Sequence, residues 1–135
     1  MDRLNMTDAF NRYHARLVNN LWAVSAIAED GALVVSCWDF TITPVNAEVM
    51  LCTDSLSRWT ENNRLGNNLL RDHLNQAVLE KLPIRLVVAH PAPESAKRIA
   101  EYFYVRSDVV GRIVEFDGDQ FVLEFTRSSS PGISG

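Results

Sequence analysis

The sequence predicts one α+β domain, a mixed or mainly antiparallel sheet with two or three helices. Three observations predict it. Several short apolar stretches are bounded by Gly, Asp, Asn or Pro, as strands are. A longer stretch repeats its leucines at helical spacing. A chain of 135 residues with 47% apolar content is the size and composition of one ordinary globular domain.

Taken in order, Thr7 is a cap for a helix over residues 8–19, with Phe10, His14, Leu17 and Val18 on one face. Asp8 in its first turn suits the helix dipole, and Asn19-Asn20 breaks the pattern. Residues 21–28 (LWAVSAIA) and 32–38 (ALVVSCW) read as strands joined at Glu29-Asp30-Gly31. Both faces of both are mostly small or apolar, which predicts central, covered positions. Pro44 interrupts the next segment, and residues 48–52 are a candidate third strand.

The second helix is drawn by Leu65, Leu69, Leu70, Leu74, Ala77 and Val78, with Pro83 closing the segment. Residues 84–89 (IRLVVA) read as a buried strand, and residues 94–101 as a short helix after Pro91-Ala92-Pro93. Two last strands, 112–117 and 120–127, flank Gly118-Asp119. That loop sets Phe116 against Phe121 and Val114 against Leu123, apolar on apolar. Residues 1–127 thus form the single domain. The tail 128–135 (SSSPGISG) is linker-like and expected to be disordered, a place where another domain can be attached.

No apolar run approaches the roughly 20 residues that span a bilayer. The N-terminus lacks the basic start and apolar stretch of a secretory signal, so the cytoplasm is the expected compartment. Cys37 and Cys52 are too few for a disulfide framework and no CxxC or Cys/His cluster suggests zinc; two buried, reduced cysteines are expected. The net charge of −4 argues against a generic nucleic-acid coat. Yet residues 58–112 hold nine Lys/Arg and six Asp/Glu, against four and eleven elsewhere, which permits a small electropositive site.

Motifs for catalysis are missing. There is no GxSxG elbow and no GxxxxGK[ST] loop. His14, His73 and His90 fall on separate elements without HxH or HExxH spacing, and Asp72 beside His73 on a helix points elsewhere. Asp39, Glu48 and Asp54 are the acids that a divalent ion would need, but neither Lys81 nor Lys97 lies on a matching strand. No catalytic residue, metal ligand or cofactor is therefore expected, and the chain does not read as an enzyme.

The tryptophans are more informative. Trp22, Trp38 and Trp59 are three large rings in a small domain. Core packing is one use for them, since Trp is highly buried on average. An aromatic pocket for a flipped base is the other. A three-residue loop, Glu29-Asp30-Gly31, pairs Trp22 with Trp38 on one face; a two-residue Asp30-Gly31 loop sends them to opposite faces. Gly31 suits the left-handed third position of the longer loop and favours that register.

Residues 59–71 (WTENNRLGNNLLR) are the most distinctive stretch. The amides of Asn62 and Asn63 can bond a base edge, and Arg64 at the helix entrance, with Arg71 further on, can meet phosphate. Equally, Asn62 or Asn63 can serve as a helix cap with Arg64 solvated.

With its Trp, Asn-containing turn, helix and following strand Ile84-Arg85-Leu86-Val87-Val88, this region resembles the EVE and YTH-like domains of the PUA superfamily. The resemblance covers residues 55–90, with a looser echo at residues 22–25. It implies a barrel-like sheet and an aromatic pocket for a modified base, as in readers attached to modification-dependent restriction nucleases in defence systems. By that analogy Trp59 and Asn62 or Asn63 line the pocket, with Trp22 or Trp38 as a second wall and Arg64 or Arg71 at the rim. The partner is then nucleic acid carrying a modified base. The competing expectation is a protein-interaction or adaptor domain, a homodimer meeting its partner through edge strands or Tyr102-Phe103-Tyr104.

Overall fold

The computed structural model describes residues 2–59, 64–93 and 99–128, without the side chains of residues 58 and 59. Strands dominate it. The order is α1 (Met6–Asn11), β1 (Ser25–Ile27), β2 (Leu33–Trp38), β3 (Ile42–Pro44), β4 (Val49–Ser55), α2 (Arg64–Glu80), β5 (Ile84–Pro91), β6 (Ala100–Val105), β7 (Val109–Phe116) and β8 (Gln120–Arg127). Short 3-10 helices, Asp39–Thr41 and Leu56–Trp59, follow β2 and β4.

All eight strands belong to one open, mixed sheet ordered β1-β2-β5-β7-β8-β4-β3, with β6 beside β5. The fold is α+β as expected, and the sheet does not close on itself. Every pairing is antiparallel except β2 with β5, where Leu33 to Trp38 run alongside Ile84 to Ala89. Those two strands are the near-continuous apolar runs that a sheet covered on both faces requires. β2 does hold the interior position its sequence predicts, but β1 lies at one end of the order.

Helices cover the two faces. α2 packs Leu70, Leu74 and Ala77 against Leu33, Val35, Ile84, Leu86, Leu123 and Phe125. Its exposed side carries Leu65 and Val78, which the helical spacing had placed in the apolar stripe. The helix stops at Lys81, held in the left-handed region (φ 54°), and Leu82 N–H bonds back to the Ala77 carbonyl at 3.1 Å. That is a Schellman stop, built here on a lysine instead of a glycine. Pro83 follows and prevents continuation.

The opposite face is built from small residues. Ala26 of β1 and Ala28 just after it, with Val34 and Val87, let Ala9, Phe10 and Tyr13 approach closely. α1 is much shorter than residues 8–19, and Asn5, not Thr7, caps it by accepting from Asp8 N–H at 2.8 Å. His14 enters the left-handed region (φ 56°) and turns the chain away, which leaves Val18 exposed. The later hairpin also departs from expectation. Phe116 does face Phe121, but a bulge between Ile113 and Glu115 sets Ile113 against Leu123 and leaves Val114 outside the register. A bulge adds one residue to one strand, which composition alone does not announce.

The segment read as a helix over residues 94–101 becomes strand β6 from Ala100 onward, and residues 94–98 are not among those described. The outer edge of β6 is clasped by the N-terminal segment. Leu4 and Phe103 exchange two backbone hydrogen bonds, both 2.8 Å. The tail residues 129–135 also lie outside the described set. No described helix is long and apolar enough to cross a membrane.

Tyr13 shows what this packing does to a polar group. Its hydroxyl donates to the Leu86 carbonyl at 2.9 Å, and burial pushes its pKa up to about 12. Above pH ~10 the unfolded chain releases this proton while the folded chain keeps it, so stability falls as pH rises toward the folded pKa. Urea titrations between pH 9 and pH 12 are expected to lose about 2 kcal/mol from this group. Tyr13→Phe should remove that portion of the alkaline slope; an unaltered slope would show that Tyr13 does not carry it.

Candidate functional site

The register of the first hairpin is the one that the three-residue loop requires. Ser25 pairs Val35, Ala26 pairs Val34 and Ile27 pairs Leu33. Ala28 N–H bonds the Ala32 carbonyl at 2.8 Å across Glu29-Asp30-Gly31, with Gly31 at φ 91°. Asp30 fixes the loop, accepting from Ala32 N–H at 3.0 Å and from Arg85 at 2.7 Å. The register runs on to Ser36, whose N–H bonds the Val24 carbonyl at 3.0 Å. Continued once more it sets Trp22 across from Trp38. Regular β1 begins only at Ser25, however, and Trp22 sits in a turn that Asn19 closes through Ala23 N–H.

Where β1 gives way to this turn, the domain opens into a cavity of about 430 Å³. Trp22 and Trp38 both line it and both are half-buried. Trp38 is steadied by stacking on Phe40, with centroids 5.7 Å apart. Leu70 and Phe121 add apolar wall, while Ser36, Asp54 and Asn67 supply polar groups. Such a mixture, mostly apolar with a few convergent polar groups, is the ordinary make-up of a small-molecule or base pocket.

Each polar group is held by its element. Asp54 projects from β4, opposite Phe121 of β8, and one of its carboxylate oxygens accepts Ser55 N–H at 2.8 Å. Asn67, buried on the first turns of α2, donates its amide to the Leu56 carbonyl and so ties the helix to the 3-10 turn. Cys37 of β2 and Cys52 of β4 both line the cavity and belong to one core cluster. Hydrogen bonding from Cys37 holds the Cys52 thiol below its usual range against burial. The same pairing, with burial, pushes Cys37 well above that range. Thr41 Oγ1 lies 3.4 Å from the Cys52 sulfur.

Beyond Ala89 and Ala100 of the cavity wall lies a second polar cluster. His90 Nδ1 meets Asp39 at 2.8 Å, its ring stacks on Tyr102 at 4.7 Å, and the Arg3 guanidinium lies 4.4 Å from the Tyr102 centroid. Sequence spacing gives no hint of it, since the four residues come from four segments.

Of the residues singled out in the sequence, the fold brings Trp22 and Trp38 together. Arg64 is exposed at the start of α2 and is not part of the cavity wall. Arg71 is spent on the Gly118 carbonyl (3.3 Å) and on Asn68 (3.2 Å), also away from the wall. Asn62, Asn63 and the side chain of Trp59 lie outside the described residues. Asp39, Glu48 and Asp54 do not gather: Asp39 belongs to His90 and Asp54 to the cavity. Among the described residues no three of His, Cys, Asp and Glu are grouped to hold a metal ion. The signal for Asp54 and Cys52 was present only as alternation along β4, which puts Cys52 and Asp54 on one face.

Fold and site together define a single α+β domain with an open sheet and a cavity lined by two tryptophans. No family model, curated protein or solved structure matches the chain.

Proposed function

We propose that this domain binds nucleic acid and takes a modified base into the cavity between Trp22 and Trp38. The observation that carries the reading is that both indoles line one open hollow of about 430 Å³ instead of filling the interior. Stacking on an aromatic side chain is worth roughly 1–3 kcal/mol per base, and it tolerates any base because every base has a π-face. Selection then falls to the polar groups. A carboxylate accepts and does not donate, so Asp54 favours a base edge that carries an exocyclic amine. The apolar remainder, including Leu70 and Phe121, suits an alkyl-type substituent. The resemblance of residues 55–90 to EVE and YTH-like domains also implies an aromatic pocket, but one lined first by Trp59 and Asn62 or Asn63, whose side chains lie outside the described set.

The test is a binding screen of oligonucleotides, each modified one against its unmodified twin, across a range of salt. At least one modified member is expected to bind about tenfold tighter than its twin, equivalent to ~1.4 kcal/mol. Affinity should fall as salt rises, because phosphate contacts release counterions. Equal affinity within every pair would sink the proposal. One observation favours a protein-contact reading instead: Leu21, also on the cavity wall, is 88% exposed beside Trp22. A dimer that persists in high salt and shields Trp22 from a fluorescence quencher would support that alternative.

A further inference from the structure

His90 and Asp39 stand 51 positions apart, yet the parallel pairing of β2 with β5 makes them neighbours. Trp38 is in register with Ala89, and one step further along come Asp39, opening its 3-10 turn, and His90. Their side chains, 33% and 37% exposed, meet at 2.8 Å through the His90 Nδ1. A carboxylate only accepts, so Nδ1 carries the proton and Nε2 of the neutral ring keeps a lone pair. Stacking on Tyr102 steadies the ring. Among the described residues Asp39 is the one hydrogen-bond partner of His90, and no hydroxyl or thiol of theirs bonds to it. A base oriented in this way, without a nucleophile from the protein, suits a hydroxyl that the substrate brings. The Arg3 guanidinium lies 4.4 Å from the Tyr102 centroid. It is paired with no carboxylate among the described residues, so its N–H groups are available to a phosphate.

We infer that Asp39, His90 and Arg3 form a site beside the cavity that cleaves RNA by internal transfer to the 2′ hydroxyl. Trp38 and Ala89 of the cavity wall are the chain neighbours of the pair, so a base held there brings its own ribose and phosphate towards His90 and Arg3. Nε2 of His90 takes the 2′ hydroxyl proton, the 2′ oxygen attacks the adjacent phosphorus, and the P–O5′ bond breaks. The departing 5′ oxygen takes a proton from water, and His90 returns its own to the hydroxide left behind. The products are a 2′,3′-cyclic phosphate and a 5′ hydroxyl, with no oxidant, reductant or net water consumed. Arg3 bonds the phosphate oxygens as charge builds on them. Asp39 is a positioning residue, which holds the ring and touches no substrate atom. An internal hydroxyl already lies within reach of phosphorus, so the reaction requires no nucleophile from the protein. The inference rests on the nucleic-acid reading for its substrate, and not on which base the cavity prefers.

The experiment incubates the whole chain in EDTA with a mixed-sequence single-stranded RNA, or with its DNA counterpart, and reads the products by gel and mass. RNA is expected to yield fragments ending in a 2′,3′-cyclic phosphate, and DNA to stay intact. A 2′-deoxy nucleotide at a mapped cut should abolish that cut alone. His90→Ala should slow cleavage by about a hundredfold or more, and imidazole added to the buffer should restore part of the rate. Asp39→Asn should lower kcat about tenfold with KM unchanged, whereas a merely structural role would shift the thermal melt and not kcat. If a variant fails to fold, the parent chain decides through the cyclic-phosphate ends and the 2′-deoxy probe. Intact RNA, cleaved DNA, or a full rate in folded His90→Ala would each overturn the inference. Intact RNA together with selective binding in the screen above would strike this inference alone. Cleavage with equal affinity within every pair would support it and sink the base reading.

Discussion

Truncating Trp22 or Trp38 to alanine is expected to weaken binding of the preferred modified oligonucleotide at least tenfold, and truncating both is expected to abolish its preference over the unmodified twin. Each indole offers a stacking face worth roughly 1–3 kcal/mol, a range that spans about tenfold to over a hundredfold in affinity. The two losses should not add. Both rings line one hollow, so a ligand deprived of one wall shifts and contacts the other differently, which couples the two changes. Conversion of Trp38 to Phe retains a face and should restore part of the affinity. Because both rings are half-buried, each variant also needs a thermal melt beside its binding curve. Wild-type selectivity in a folded double variant would place the binding surface elsewhere.

The second large effect concerns the sheet. Gly111→Ala is expected to cost about 3 kcal/mol, the upper part of the range for overpacking a filled core. Gly111 pairs directly with Phe125, and a Cβ added there would stand 2.5 and 2.6 Å from two carbons of the Phe125 ring and 3.2 Å from the Glu124 carbonyl oxygen. Phe125 is fully buried against α2 and its neighbours, so its ring has no room to withdraw. An alanine would also stiffen the unfolded chain, a gain of about 0.4–1 kcal/mol. Packing outweighs that gain. In a domain of this size the melting temperature should drop by about 10 °C. Combining Gly111→Ala with Phe125→Leu should return some of the loss, by removing the ring atoms that clash. An unchanged melt of Gly111→Ala would refute the argument.

Both predictions draw on features that the sequence discloses unequally. The first hairpin was readable because Gly31 at a left-handed position selects a loop length, and loop length selects register. α2 was readable because Leu70, Leu74 and Ala77 repeat at helical spacing. α1 was not. Its apolar spacing continues past Asn11, but His14 adopts a left-handed backbone that redirects the chain, and spacing carries no information about that. β6 was read partly as helix since residues 94–101 contain good helix formers, whereas pairing of Ala100 with Pro91 and Phe103 with Ala89 decides the outcome. The cavity was half legible. Trp22 and Trp38 could be brought together by local register alone. Asp54, Cys52 and Asn67 reach the same place through long-range pairing of β4 with β8 and docking of α2, and no local pattern encodes that.

The clasp of Leu4 on Phe103 has a consequence for how the chain is made. β6, rich in aromatic residues, is synthesised after Leu4, and its bare flank would be an adhesive template for other nascent chains. Its cover is synthesised first. Leu4 has thus already been made when Phe103 emerges, and the strand can be sheathed as soon as it docks on β5. Order of synthesis here runs in favour of solubility.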